Sequence, residues 1–246
     1  MGVAGLVGGW IQRYATLARL RQLPEESSSF SIDMNGLFHD VFNELIDIKK
    51  FEHDRFEEMS EEERELFVFE GITNEILHLL SVVKPTDTLL MYVDGVAPAA
   101  KMQQQRKRRE ISGQDEPEIG ANRNCITPGT SYMVKLDNFI RDWIKSNRNK
   151  LPQHVEYSSH LVPGEGEHKI MQSFREGIMK EGNHIIYGMD ADLVILCSLS
   201  NVDNIYLYRS SESDIISIEQ VKSTIESKGM TVHEFAFLVS FVGNDF

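Results

Sequence analysis

The sequence predicts an α/β fold in which helices flank a mostly parallel central sheet. Short apolar runs with the composition of buried strands alternate with longer segments whose apolar residues recur every three or four positions, as in amphipathic helices. Three of the strand-like runs end at or near an aspartate, namely Asp33, Asp94 and Asp190. The active crevice of such a sheet lies beyond the carboxyl ends of its strands, so these residues also indicate where a functional site would form.

The first half of the chain predicts two strands and two helices. FSIDM (30–34) predicts a short buried strand, and a helix is predicted over 36–48, where the apolar spacing rests on Leu37, Val41, Leu45 and Ile48. A long helix is predicted over 60–83, because Ser60 and Glu63 form a capping box at its start. Its expected buried face comprises Leu66, Phe69, Thr73, Ile76 and Leu80. TLLMYVDG (88–95) predicts a second buried strand, and the charged residues 49–60 an exposed connection.

The second half continues the alternation. A helix is predicted around Leu136, Phe139, Ile140 and Trp143, and a third strand at HVEYSS. The segment 163–182 predicts a loop that opens a helix, with Gly182 as its stop. HIIYGMDADLVIL predicts a fourth strand ending near Asp190 and then an apolar element, and NIYLYR predicts a fifth strand. VHEFAFLVSFVGNDF predicts an apolar helix that runs to Phe246.

Composition restricts the possible functions. A net charge of −13 on 246 residues argues against a protein that coats nucleic acid through bulk charge, but that balance suits a site that concentrates acids. Cys125 and Cys197 match no metal-ligand spacing, which favours reduced thiols in the cytosol or nucleus. Apolar runs such as FAFLVSFV are too short to span a bilayer, and the start MGVAGLVGGW is not a signal peptide, so no membrane association is expected.

The acids form a pattern that predicts a metal site. Glu165 and Glu167 lie two residues apart in a glycine-rich loop, and Asp190 and Asp192 have the same spacing after a strand. With Asp33, Asp94 and Asp245 they make seven candidate carboxylates, whose mutual repulsion divalent cations would relieve. Oxygen ligands without a Cys or His cluster favour Mg²⁺ or Mn²⁺. Such a set is typical of two ions about 3.5–4 Å apart that act on a phosphodiester.

A basic segment follows Asp94 after a short apolar connection. In KMQQQRKRRE, one helical face would carry Lys101, Gln105, Arg108 and Arg109. Arginine and lysine side chains together suit phosphate oxygens. Composition alone leaves three interpretations open, namely a phosphate site, a solvated helix face and a nuclear localisation signal. The position directly after Asp94 favours the phosphate site.

These segments resemble a known family. SIDMNGLFH, YVDGVAPAAKMQQQRKRR, NCITPGT, VPGEGEHKIM, YGMDADLVIL and FVGNDF are similar to the motifs of the XRN-type 5′→3′ exoribonucleases and stand in the same order. The resemblance implies a single PIN/flap-endonuclease-like nuclease domain over residues 1–246. It corresponds to the first conserved region of that family, and the second conserved region is absent from this sequence. A further domain or partner could replace that region.

The resemblance also implies roles for individual residues. The seven acids would be both catalytic and metal-binding residues: Asp33, Asp94, Glu165, Glu167, Asp190, Asp192 and Asp245. Lys101, Gln105, Arg108 and Arg109 would bind the 5′-phosphate, and His39 would stack on the first base. The expected reaction is Mg²⁺- or Mn²⁺-dependent release of nucleoside monophosphates from single-stranded RNA with a 5′-monophosphate. RNA degradation, including mRNA decay, and a cytoplasmic location follow as expectations, with a nuclear location as the alternative.

Other functions fit parts of the pattern. The chain could bind RNA ends or another protein without turnover. MDADLVIL has the local form of a haloacid-dehalogenase-type phosphatase motif with Asp190 as nucleophile, but this leaves Asp33, Glu165 and Glu167 without a role. A flap-type endonuclease would share the same metal chemistry and differ in cutting at internal structures.

Overall fold

The computed structural model describes residues 5–51, 58–99, 101–103, 106, 123–179, 181–188, 190–209 and 214–241. Its centre is a seven-stranded sheet with the order β1-β7-β6-β5-β2-β3-β4. The strands are β1 (Arg19–Leu20), β2 (Ser27–Asp33), β3 (Pro85–Tyr92), β4 (His154–Ser158), β5 (His184–Tyr187), β6 (Ile205–Arg209) and β7 (Asp214–Ser217). Strands β6, β5, β2, β3 and β4 run parallel, whereas β7 pairs antiparallel with β1 and β6. The predicted α/β fold with a mostly parallel sheet is therefore confirmed.

Helices cover both faces of this sheet. A π-helical turn, Leu6–Ile11, leads into α1 (Gln12–Tyr14). The longer α-helices of the described residues are α2 (Met34–Phe51), α3 (Glu61–Val83), α4 (Ser131–Ser146), α5 (Gly166–Arg175), α6 (Asp192–Ser198), α7 (Ile218–Ser227) and α8 (Val232–Ser240). Helices α2, α3 and α4 share one core cluster, and α5 to α8 share the other. Strand β3 serves both clusters, because Leu89 and Met91 face the first and Leu90 and Tyr92 the second.

Helix α3 shows how packing sets a buried face. Its start is the predicted capping box, with Ser60 and Glu63 bonded to each other's backbone. Phe69, Thr73 and Ile76 are buried as expected, but Leu66 is exposed and Leu80 only half-buried. The helix packs against both α2 and α4, so the buried face is broader than predicted and includes Val68, Ile72 and Leu79. Helix α3 is also long and apolar enough to cross a membrane by length and composition, but here one of its faces packs inside a protein core.

Other boundaries differ from the predictions. All five predicted strands are present, but β1, β7 and helices α1 and α7 were not predicted. Helix α2 extends further than expected, to Phe51, and residues 52–57 lie outside the described residues. The predicted stop at Gly182 is wrong, because α5 ends at Arg175 and Gly177 takes the positive φ of 70° that follows the helix. The last helix ends at Ser240, and residues 242–246 lie outside the described residues.

Candidate active site

The acids lie at one edge of the sheet. Strands β5, β2, β3 and β4 are parallel neighbours, so their carboxyl ends meet at that edge. Asp33 ends β2, and Asp94 comes two residues after β3. The segment after β4 leads to Glu165 and Glu167 at the start of α5. The segment after β5 leads to Asp190 and to Asp192 at the start of α6. The structure therefore places these six acids after neighbouring strands, as predicted.

Close contacts around Gly166 bring two of these carboxylates together. The Gly166 N–H donates a 2.6 Å hydrogen bond to Asp94 Oδ1. A β-carbon added at Gly166 would lie 2.8 Å from Asp33 Oδ1 and 2.9 Å from the Tyr92 carbonyl oxygen. Only glycine fits this position without displacing an acid. Gly164 has a different requirement, because its φ of 102° is unfavourable for any other residue. The two glycines that flank Glu165 are explained by these observations.

The carboxylates perturb one another's ionisation. Burial raises the pKa of Asp33 well above its usual range, and the charges of Asp94, Glu167 and Asp190 raise it further. Burial raises the pKa of Asp94 to about 6 against the opposing hydrogen bond from Gly166. Burial and the nearby Asp190 raise the pKa of Glu167 to about 8. The negative charge of this cluster is therefore only partly compensated by the surrounding protein.

Lys101 supplies one compensating charge. Its Nζ lies 2.5 Å from Glu165 Oε2, and both side chains are buried. The ammonium also lowers the pKa values of Asp94 and Glu167. Residues 101–103 are helical. Because Lys101 contacts Glu165, the basic segment begins beside the acids, as the sequence predicted. Gln105, Arg108 and Arg109 lie outside the described residues, and so does Asp245.

The six acids that the structure describes do not form a ligand shell around one point. Among the described residues, no group of three or more His, Cys, Asp or Glu side chains is arranged to hold a metal ion. Asp94 instead accepts the Gly166 N–H, Asp33 accepts the Asn35 N–H, and Glu165 pairs with Lys101. The donor chemistry nevertheless fits a hard divalent cation, because the candidate ligands are carboxylate oxygens whose negative charge is only partly compensated.

Two further residues shape the site and were not predicted. The Asn35 side-chain oxygen accepts a hydrogen bond from the Asp94 N–H at 3.0 Å. The backbone N–H of Asn35 donates to Asp33 Oδ1 at 3.2 Å, so Asn35 links the two aspartates. Lys169 donates to the Val93 carbonyl oxygen beside Asp94. An asparagine two positions after a strand-end aspartate was the available sequence sign for the first. His39 is exposed on α2, the helix that begins directly after Asp33.

Comparison with known proteins identifies the family. A family profile described as XRN 5′-3′ exonuclease N-terminus matches residues 1–122 and 112–211. The chain belongs to this XRN family. It is 34% identical to 5′-3′ exoribonuclease 1 of Schizosaccharomyces pombe over 235 residues, which cover 85% of this chain and 17% of that protein. It is 37% identical to 5′-3′ exoribonuclease 1 of Saccharomyces cerevisiae over 199 residues, which cover 71% of this chain and 12% of that protein. The XRN chain thus spans less than a fifth of these relatives' length.

A solved structure supports the fold. The catalytic core of Rad2 in complex with DNA substrate matches all of the XRN chain and 63% of its own chain, with a TM-score of 0.54 and 14% identity. At this identity the likeness shows the fold alone. It confirms the PIN/flap-endonuclease-like fold expected from the sequence motifs.

Proposed function

We propose that this chain is the nuclease region of a divalent-metal-dependent 5′→3′ exoribonuclease acting on single-stranded RNA with a 5′-monophosphate. The observation that carries the proposal is the group of strongly perturbed carboxylates at the sheet edge, beside the buried Lys101. Family membership supports the reaction class, and the curated relatives are named 5′-3′ exoribonucleases. The products would be nucleoside monophosphates, released one at a time.

The acids would hold Mg²⁺ or Mn²⁺, and we propose two ions. The ligands would come from Asp33, Asp94, Glu165, Glu167, Asp190, Asp192 and Asp245. When bound, such ions supply a more acidic water and neutralise the charge that develops on a phosphodiester. Asn35 would keep Asp94 and Asp33 in register, since it bonds to both residues. Gly166 would allow these carboxylates to approach the start of α5.

Recognition of the 5′ end is assigned to the basic segment. Lys101 lies against Glu165, so a terminal phosphate that it binds would be held directly beside the acids. Helical spacing would add Gln105, Arg108 and Arg109 to the same phosphate pocket. His39, exposed on α2, would stack on the first base. A pocket of this kind would select a monophosphate end over a hydroxyl end through charge.

An end-labelled RNA assay tests this proposal. We expect Mg²⁺- or Mn²⁺-dependent release of mononucleotides from 5′-phosphorylated RNA, little release from 5′-hydroxyl RNA, and none in EDTA. Asp94→Asn should lower the rate at least about 100-fold, because it removes a proposed ligand charge. Asp142→Asn is the matched control, since Asp142 is an exposed aspartate on α4 that pairs with Lys145. Equal rates on the two kinds of end would contradict the phosphate-pocket assignment.

The same assay separates the alternatives. Tight binding of 5′-phosphorylated RNA without release would favour an end-binding region that needs a further domain or partner for turnover. Cutting at internal structures would favour a flap-type endonuclease. Trapping of a phosphorylated Asp190 would favour the phosphatase chemistry. We base the proposal of a cytoplasmic location on Cys125 and the buried Cys197, which are not joined in a disulfide, and cell fractionation with an antibody to the chain tests it.

A further inference from the structure

Lys169 joins two strand ends beneath the acid cluster. On α5, its ammonium donates a 2.6 Å hydrogen bond to the Val93 carbonyl oxygen and a 3.2 Å hydrogen bond to the Ser159 carbonyl oxygen. Val93 directly precedes Asp94, and Ser159 directly follows β4 at the start of the segment that leads to Glu165. The side chain therefore acts at the two points where neighbouring strands pass into acid-bearing segments.

The two segments stay paired beyond this point. The Gly95 N–H donates to the Gly164 carbonyl oxygen at 2.8 Å, and the Gly164 N–H donates to the Val96 carbonyl oxygen at 3.2 Å. A β-carbon at Gly95 would lie 1.8 Å from the Val162 carbonyl oxygen, so the two backbones are in direct contact. At one end of this pairing Lys169 donates to the Val93 carbonyl oxygen, and at the other end the Gly166 N–H donates to Asp94.

Both carbonyl groups that Lys169 binds lie outside its own helix, α5. Two carbonyl oxygens, which carry the same partial charge, converge on one ammonium, and charge-assisted hydrogen bonds of this kind are stronger than neutral ones. The same ammonium acts on the charge of Asp94. Removing the ammonium would take this hydrogen bond from both carbonyl groups. It would also remove a positive charge that acts on Asp94.

We propose that Lys169 is a positioning residue for the metal-binding acids. It would hold the end of β3 against the segment after β4, so that Asp94 meets Glu165 and Glu167 in the correct register. This inference rests on the proposed function, because it assumes that these acids bind a divalent cation. It assigns no contact between Lys169 and either the cation or RNA.

Metal titration of the folded protein tests the inference. Mn²⁺ affinity is measured by calorimetry on metal-free wild type, Lys169→Met and Lys169→Arg. Lys222→Met is the matched control, because Lys222 is a half-buried lysine that donates to the Ser200 carbonyl oxygen at 3.4 Å and lies on α7, which carries none of the proposed ligands. Hydrogen exchange of residues 159–166 in EDTA gives a second readout that needs no metal. Should the methionine variant not fold, Lys169→Gln replaces it in both measurements.

We expect Lys169→Met to bind Mn²⁺ about 10- to 100-fold more weakly, as is typical when groups that support metal ligands are removed. Lys169→Arg should recover part of the affinity, Lys222→Met should keep all of it, and exchange of residues 159–166 should be faster only in the Lys169 variants. Wild-type affinity in Lys169→Met, with wild type itself binding Mn²⁺, would overturn the positioning role and leave the proposed function standing. Absence of Mn²⁺ binding in wild type would instead overturn the proposed function, and this inference with it.

Discussion

Two lysine–glutamate pairs of nearly equal length lie in very different surroundings. Lys135 Nζ is 2.6 Å from Glu65 Oε2 where α4 meets α3, and the lysine side chain is 53% exposed. Lys101 Nζ is 2.5 Å from Glu165 Oε2 at the sheet edge, where the two side chains are only 10% and 8% exposed. The first pair joins two helices at the edge of the core, where Glu65 is only 11% exposed but water reaches the lysine and screens its charge. The second lies among acids with raised pKa values, where the ionisation of each acid depends on the charges of its neighbours.

The difference shows how a contact can serve stability in one place and function in another. The α3–α4 pair completes the packing of two helices and allows Glu65 to be buried. The Lys101 pair does not neutralise its region, because Asp33, Asp94 and Glu167 remain close together and strongly perturbed. A cluster that the fold leaves unbalanced in this way is a candidate for binding a cation.

The largest effect should come from Lys101→Met. This change leaves the buried Glu165 without its partner beside three other acids, so we expect a loss of about 3 kcal/mol in the free energy of unfolding. Urea unfolding in EDTA at pH 8 measures it, since the carboxylates are then most fully ionised. A loss no greater than that of Lys135→Met would contradict the comparison between the two pairs.

Gly166→Ala should have the next largest effect on stability. The added methyl group would meet both Asp33 Oδ1 and the Tyr92 carbonyl oxygen at under 3 Å, and overpacking of this kind costs about 1–3 kcal/mol. We also expect weaker Mn²⁺ binding, because an acid must move. Gly9→Ala is the control, since a β-carbon there meets nothing within 4 Å. Unfolding and calorimetry on both variants check the prediction, and an unperturbed Gly166→Ala protein would refute the close approach.

The third prediction concerns pH in the absence of metal. Because the folded-state pKa values of Asp94 and Glu167 are raised to about 6 and about 8, the folded protein binds more protons than the unfolded chain between those values and the usual pKa of a carboxyl group. The stability that these two groups contribute is therefore fully present below the usual carboxyl pKa and is lost as pH rises to 8, and we expect a loss of at least about 1 kcal/mol between pH 5 and 8. Urea unfolding in EDTA from pH 5 to 8 measures this slope.

Two additions sharpen that experiment. Saturating Mg²⁺ should flatten the slope, because a cation bound only by the folded protein favours the ionised acids. Glu167→Gln should also flatten it in EDTA, because it removes the group with the higher of the two pKa values. A free energy of unfolding that rises from pH 5 to 8 in EDTA would contradict the raised pKa values of these buried carboxylates.

The sequence predicted which edge of the sheet carries the acids better than it predicted the hydrogen bonds that hold them there. Aspartates at strand ends predicted that Asp33, Asp94 and Asp190 would share one edge, because parallel strands in a sheet end together. The bonds of Asn35 and Lys169 could not be predicted, since they join backbone groups brought close only by the tertiary fold. Strand β1 was missed because two residues carry too little pattern, and β7 because its apolar run continues without a break into α7. The exposure of Leu66 likewise depends on which neighbours α3 meets.

The smallest expected effect completes the comparison of the two ion pairs. Lys135→Met removes an ammonium that is 53% exposed and already screened by water, so we expect a loss of about 1 kcal/mol even though the Glu65 side chain is only 11% exposed. Mn²⁺ affinity and RNA hydrolysis should stay at wild-type values, because α4 carries none of the proposed ligands. Urea unfolding, calorimetry and the end-labelled RNA assay on this one variant separate the two roles. Lower metal affinity in Lys135→Met would show that the α3–α4 pair is coupled to the acid edge through the core.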